Sequence, residues 1–404
     1  MFLKCHKLFE QYCHILAYGV CFALPLKLSI AYVFLIPLVL LFIGDLIFHK
    51  LSSPQTPGYQ SPQYLKSNCF AAIATFVIVA FIQSSFGIDV WRSYSKLLSL
   101  SFTIILIPLT IKLIIEERIK LPLLLGLLVA GQSIAALHTV IEALHPTWSF
   151  KPFVGAVSES GQLGLIIFAA MGLLNYKSIK AQSSFIENRY LKFLLFIAIT
   201  LLFTALLINL KRGPWFGVSA GLLIFLWLNK RWLLIPTIIS GLAIFIFVQP
   251  IRTRLAQADE HFHIAGGRGV IWDIGIDLAL RNPLGLGYQN SAELRKYSDE
   301  IPEELKHFHS NILNVLVETG YFGLAIYLWW VWALLSSCFN YKASQYAPLM
   351  QALGCGFVSW QLAGLVEYNF GDSEVVLIAF ILAGVAGGLK HLTTQPKEEA
   401  LKSL

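Results

Sequence analysis

Charge is what this sequence is most short of. Asp, Glu, Lys and Arg make up 13% of its 404 residues, against roughly 25% in a soluble globular chain. Long runs of Leu, Ile, Phe, Ala and Val take their place, so that 56% of the residues are hydrophobic and the mean hydropathy is +0.68. Several runs reach the ~20 residues that cross a bilayer core of about 30 Å. Soluble packing cannot bury so many such runs in this length, which excludes two or three soluble domains and leaves one membrane bundle. Blocks of like charge are absent, as is any module interleaving aromatic and basic residues. The net charge of +7 therefore does not point to nucleic acid. Cytoplasmic loops of membrane proteins collect Lys and Arg, and topology accounts for the excess.

Other absences narrow the chemistry. Cys5, Cys13, Cys21, Cys69, Cys338 and Cys355 lie in or beside apolar segments, with no C-x-x-C spacing, and read as small buried hydrophobes. No cleavable signal peptide is expected, because the first apolar stretch runs into the second without a small-residue cleavage site. There is no Gly-x-x-x-x-Gly-Lys-Ser/Thr loop and no His-Glu-x-x-His. The outer loop has no Asp-x-Asp, so a metal-bound nucleotide-sugar mechanism lacks its ligands. His261 and His263 have ligand chemistry, but a two-residue spacing alone is a weak metal signal. No metal and no cofactor are expected in the reaction.

What is present is an all-α polytopic integral membrane protein of about 12 transmembrane helices. The apolar spans fall at roughly 10–26, 29–48, 67–87, 97–115, 121–138, 161–176, 190–209, 214–229, 232–250, 312–338, 347–366 and 374–391. Pro25 and Lys27 predict a tight turn between the first two. Helices 1–9 occupy residues 1–250, a large, partly helical loop on the outer, non-cytoplasmic side occupies 251–309, helices 10–12 occupy 310–391, and a polar tail follows over 392–404. With the N-terminus in the cytoplasm, 17 of the 30 Lys and Arg lie inside; of the 13 outside, seven are in the long loop. Long loops count little in this rule, so both termini are predicted to be cytoplasmic. The inner loop 49–66, rich in Ser, Pro and Gln, reads as a flexible connector.

Polar features that a plain bundle does not need all fall on the outer side. The first is Lys211-Arg212-Gly213-Pro214-Trp215, two cations set against the positive-inside bias. Pro214 suits the first turn of a helix, and a helix N-terminus beside Arg212 suits an anion. The alternative is an interfacial anchor with Trp215 in the aromatic belt. The second is the long loop, with Arg252, Arg254, His261, His263 and Gly266-Gly267-Arg268-Gly269. An amphipathic helix carrying Trp272, Ile276 and Leu280 follows, and then the turn Asn282-Pro283-Leu284-Gly285-Leu286-Gly287-Tyr288. Arg presents a planar fork of donors that matches phosphate oxygens, and Gly allows close backbone approach to a ligand. The alternative is a solvated cap with ordinary salt bridges. The third is His307-Phe308-His309-Ser310-Asn311, where Ser310 suits a helix cap and a histidine suits proton transfer near neutral pH. A weaker cluster, Glu367-Tyr368-Asn369-Phe370-Gly371-Asp372-Ser373-Glu374, lines the same cavity or holds the arginines.

Arg-Gly-Pro-Trp-Phe-Gly at 212–217, Gly-Arg-Gly-x-x-Trp at 267–272, Asn-Pro-Leu-Gly-Leu-Gly at 282–287 and His-Ser-Asn-x-x-Leu-x-x-x-x-Glu-x-Gly-Tyr-x-Gly at 309–323 together resemble the O-antigen ligase and polymerase superfamily of bacterial envelopes. The Asn369-Phe370-x-Asp372-x-Glu374 element resembles the ligase branch. These motifs cover about the second half of the chain; the first six spans are only generically similar.

The resemblance implies that a polysaccharide carried on undecaprenyl diphosphate is passed to a sugar of the lipid A-core acceptor, in the inner membrane and facing the periplasm, without nucleotide or metal. It implies Arg212 and Arg268 on the leaving diphosphate and His309 as the base. Lys211, Arg252, Arg254, Trp272, Tyr288, Asn311, Glu318, Asn369 and Asp372 would bind substrate, and membrane lipids would surround the bundle. Direct attack by the acceptor hydroxyl would invert the anomeric centre. Rival readings are an O-antigen polymerase, a protein O-oligosaccharyltransferase and, from a different class, a transporter. Transporters place ionisable groups near the midplane, whereas these spans are almost free of mid-span charge.

Overall fold

The computed structural model describes residues 2–52, 63–145, 155–176, 189–257, 262–263, 267–291, 306–340 and 345–394. His261, most of the 49–66 connector and the end of the tail lie outside them. Among the described residues the chain is helical and has no strand. Its main helices are α1 (Phe2–Ala23), α2 (Leu28–Ser52), α3 (Asn68–Ser84), α4 (Val90–Ile104), α5 (Leu106–Ile115), α6 (Leu121–Leu144), α7 (Ala156–Asn175) and α8 (Arg189–Ile208). They continue with α9 (Arg212–Asn229), α10 (Leu234–Phe247), α11 (Gln249–Ala256), α12 (Arg268–Arg281), α13 (Asn311–Phe339), α14 (Ala347–Ala363) and α15 (Ser373–Thr394). Each predicted apolar stretch falls on helix. Among the described residues seven helices are long and apolar enough to cross a membrane, with α4 and α5 taken together as one, or eight if α10 and α11, bent by 81°, are one broken span. The stretches on α1, α3, α9 and α14 are shorter or more polar, so twelve crossings remain an expectation.

Local chemistry explains the ends. The turn at Pro25 forms as expected, with the Lys27 N–H donating to the Ala23 carbonyl at 2.9 Å. The first helix starts eight residues earlier than hydropathy suggests, because its polar turns are held by partners elsewhere in the chain: His6 by Asp45 of α2 and Glu10 by Arg118 in the turn after α5. Asp89 caps α4 through the Arg92 N–H at 2.9 Å, and Ser310 caps α13 through the Leu313 N–H at 3.4 Å, as N-cap oxygens do.

The helices pack closely: α1 on α2, α9 and α7 on α14, α5 on α15, and α3 on α13. Small residues let α9 approach α14. A Cβ on Gly217 would lie 2.2 Å from the Ser359 carbonyl oxygen, and one on Gly221 would lie 2.7 Å from that of Cys355. Such close small-residue packing drives helix association where no hydrophobic effect operates. At the centre, Tyr327, Trp330, Trp360 and Phe370 stack edge to face or tilted. The cysteines are free, and all but Cys5 are buried, as expected of small core residues.

Two sequence expectations change. The buried face of α12 is Ile271, Gly275, Leu278 and Ala279, whereas Ile276 and Leu280 are 50% and 68% exposed. Both stripes satisfy helical periodicity, and only the neighbour decides between them: Phe308, Leu313 and Val317 at the start of α13. The glycines of the 282–288 turn meet the chain itself. Helix α13 breaks at Gly320, with φ +62°. The opened carbonyls of Val317 and Glu318 accept from the Leu286 and Gly287 N–H groups, both at 2.9 Å. A Cβ on Gly320 would strike the Pro283 oxygen at 2.3 Å. The two glycine motifs are therefore halves of one joint.

Candidate functional site

One end of the bundle gathers polar side chains from many helices. The Ser158 hydroxyl donates to Asp372, Asn209 donates to Glu159 at 3.0 Å, and Thr139 donates to the same carboxylate. Those contacts bring together the C-terminal ends of α6 and α8 and the N-terminal ends of α7 and α15. Arg212 opens α9 at this end.

Glu367, between α14 and α15, sits at the centre. The Arg268 Nη2 donates to its Oε1 at 2.7 Å. His309 Nδ1 stands 3.9 Å from Oε2, inside ion-pair range and beyond hydrogen-bond length. Gly213, next to Arg212, packs so tightly here that a Cβ would lie 3.0 Å from the Glu367 Cγ. The small residue after Arg212 thus lets the α9 end reach this carboxylate. Burial alone would raise the Glu367 carboxyl, but the His309 ring and the Arg268 guanidinium hold it below the usual carboxylate range. Burial, then the fields of Arg254 and Arg268, lower the Arg212 pKa, with Glu367 opposing. Among the described residues, Arg212 Nη1 and His309 Nδ1 are buried without a hydrogen-bond partner. Buried polar atoms are rarely left so.

The two histidines differ. His307 is pushed down to about 4 by burial and then by the positive field of His309, so it is neutral at pH 7. Its Nδ1 accepts the His309 backbone N–H at 3.3 Å, and its ring lies 5.5 Å from that of Tyr368. His309 keeps 38% of its side chain exposed and holds φ +50°. That left-handed conformation costs a residue with a Cβ about 1–2 kcal/mol, and strain of this kind concentrates at functional positions.

The other expected residues divide into groups. Lys211 and Arg254 line an open cleft of ≈ 590 Å³ with Asn209, Gln249 and Gln257, and Arg254 Nε donates to the Leu210 carbonyl at 3.4 Å. Arg252 is exposed on α11. Asn311 and Asn369 bond each other at 2.7 Å, and the Phe370 N–H donates to Asn311 at 2.9 Å, which ties the 364–372 turn to the start of α13. Trp272 Nε1 donates to the Phe308 carbonyl at 2.9 Å and so docks α12 beside the histidines. Asp372 accepts from the Glu374 N–H at 3.1 Å, at the head of α15. Tyr288 and Glu318 are each only 2% exposed, with Ser291 Oγ donating to Glu318. Trp215 is 4% exposed and donates to the Leu206 carbonyl at 2.8 Å, so it packs inside the bundle and is not an interfacial anchor. Glu367 was named in the sequence only as one acid of a cluster. Its signal was three acids in a short outer loop; its partners were not readable.

Fold and site together define a multi-pass helical membrane protein with a cationic, histidine-bearing polar end. Residues 195–328 match the model of a protein family described as O-antigen ligase. The match spans the Arg212, Arg268, 282–287 and 309–323 motifs, about a third of the chain, and makes that stretch similar to the O-antigen ligase family. The Asn369–Glu374 element lies outside the match. A comparison with curated proteins returns no match.

Proposed function

We propose that the protein is an O-antigen ligase of the bacterial inner membrane, acting at its periplasmic face. It transfers a polysaccharide from undecaprenyl diphosphate to a sugar hydroxyl of lipid A-core. The observation that carries this reading is the convergence on Glu367 of Arg268, His309 and the Arg212 end of α9, with an unsatisfied donor on Arg212. As the glycosidic bond breaks, negative charge develops on the leaving diphosphate. Arg212 and Arg268 would meet that charge already oriented, and losing one such donor typically costs roughly 3–4 kcal/mol. With its Nδ1 proton turned to Glu367, His309 offers Nε2 to the acceptor hydroxyl. Catalytic hydrogen bonds of this kind tighten when substrate binds, and base catalysis contributes roughly 10²–10⁴-fold. The oxygen so activated attacks the anomeric carbon opposite the diphosphate, which inverts its configuration. Lys211 and Arg254 extend the cationic surface along the cleft, where the anionic head of the donor would enter.

The test is replacement of Arg212, Arg268 and His309 by Ala, with membrane expression verified, followed by an envelope polysaccharide profile. Each variant is expected to leave bare core and accumulated lipid-linked polymer. Core capped with a single repeat would mark a polymerase instead, and normal ligated polysaccharide in all three would end the assignment.

A further inference from the structure

A second cluster of ionisable groups lies at the opposite end of the bundle, where α3 begins and α15 ends. Asp45 is buried in α2 and meets three cationic or ligating side chains. Lys112 Nζ donates to its Oδ2 at 2.5 Å. The other oxygen, Oδ1, faces two imidazoles: His6 Nδ1 of α1 at 2.6 Å and His49 Nε2, one turn on in α2, at 3.4 Å. One potential ligand atom from each of His6, Asp45 and His49 falls within a 4.8 Å group. An Asp45–Lys112 ion pair alone requires no histidine at that oxygen, yet two turn ring nitrogens to it.

We propose that His6, Asp45 and His49 bind a divalent transition-metal ion, with Zn²⁺ the best match to two imidazoles and a carboxylate. Tetrahedral zinc, with bonds of roughly 2.0–2.1 Å, sets ligand atoms about 3.3 Å apart, so the His6–Asp45 contact opens slightly and the His49–Asp45 contact is already suited. The ion takes the place of the proton shared by His6 and Asp45, which is released. The groups that orient metal ligands are also present. Ligating histidines characteristically turn their second nitrogen to a carboxylate; His6 Nε2 faces Glu10 Oε2 at 3.7 Å, and Glu10 is held by Arg118 at 2.6 Å. The His6 ring stacks on Phe48 at 4.7 Å and 15°. Lys112 also reaches Glu116 at 3.3 Å, so three acids face two permanent cations and the surroundings favour added positive charge. His49, with 43% of its side chain exposed, gives the ion an entry path, and three protein ligands leave a position for water. The site joins α1 to α2 and does not depend on the activity of the other end.

The full-length protein in detergent, stripped with chelator and dialysed against Zn²⁺, should retain one zinc per chain by elemental analysis. Co²⁺ in its place should give the visible absorption bands of a four-coordinate site. His6→Ala and His49→Ala should bring both signals to background; His49 is half exposed, so that variant should keep its elution profile even if Asp45→Asn does not fold. Glu10→Gln, which touches no metal, should weaken binding roughly 10–100-fold. No zinc on the wild-type protein, or zinc that both histidine variants retain, overturns the proposal.

Discussion

Glu367 binds Arg268 with one oxygen and faces His309 with the other. On the proposed reading it is a positioning residue, holding the imidazole tautomer and one phosphate-binding guanidinium. Glu367→Gln keeps the shape and removes the charge. It is expected to lower kcat on the order of 10²-fold, a part of what base catalysis supplies, with a smaller change in KM. An in vitro transfer assay reads the split, and an equal loss in Glu367→Gln and Glu367→Asp would point to simple misfolding. His307 gives a pH prediction. Its folded pKa, about 4, lies below the unfolded value of about 6.5. The stability it contributes is therefore full above pH ~6.5 and declines as pH falls toward 4, because only the unfolded chain takes the proton in that window. The melting temperature of His307→Gln should change less between pH 7 and 5 than that of the wild type. At this scale the sequence showed which residues had the right chemistry but not which were partners. Arg268 and Glu367 are 99 residues apart, and no spacing rule joins them.

Helices were readable because each apolar run is long enough to dictate one. The breaks were not. Glu318-Thr319-Gly320 reads as continuous helix, and it opens only because the 282–288 turn supplies N–H donors to the freed carbonyls. Lys112 counts among the inner-side cations at the end of the 97–115 span, but its partner was not readable: in α5 its charge is matched by Asp45, 67 residues earlier. At the scale of elements, the α9–α14 contact is the most exposed to change. Gly217→Ala drives a methyl against the Ser359 carbonyl, 2.2 Å away, and overpacking of this kind costs roughly 1–3 kcal/mol. The expected outcome is a lower melting temperature in detergent together with reduced transfer, since α9 carries Arg212. Gly126→Ala, where a Cβ meets nothing within 4 Å, should leave both unchanged.

For the whole molecule, the polar ends that meet around Glu367 belong to helices that alternate in direction, as consecutive spanning helices must. This predicts labelling from opposite sides. In intact, outer-membrane-permeable cells, Gln257→Cys should react with a membrane-impermeant maleimide. Lys230→Cys, at the far end of α9, should react only after the inner membrane is opened. Five native cysteines are buried, which keeps the background low. Reaction of Lys230→Cys alone would invert the proposed topology, and reaction of both would overturn the assignment of these two ends to opposite sides.

The shared carboxylate has one more consequence. Arg268 cannot give the same donors to Glu367 and to a diphosphate at full strength. On the proposed reading, Glu367 is freed to strengthen its hold on His309 as the donor lipid draws Arg268 away. The first substrate then prepares the base for the second through a single side chain. The reaction should therefore follow a compulsory order, with the lipid-linked polymer loaded before the core. Initial-rate patterns with dead-end analogues of each substrate would reveal that order, and Glu367→Gln should make it random.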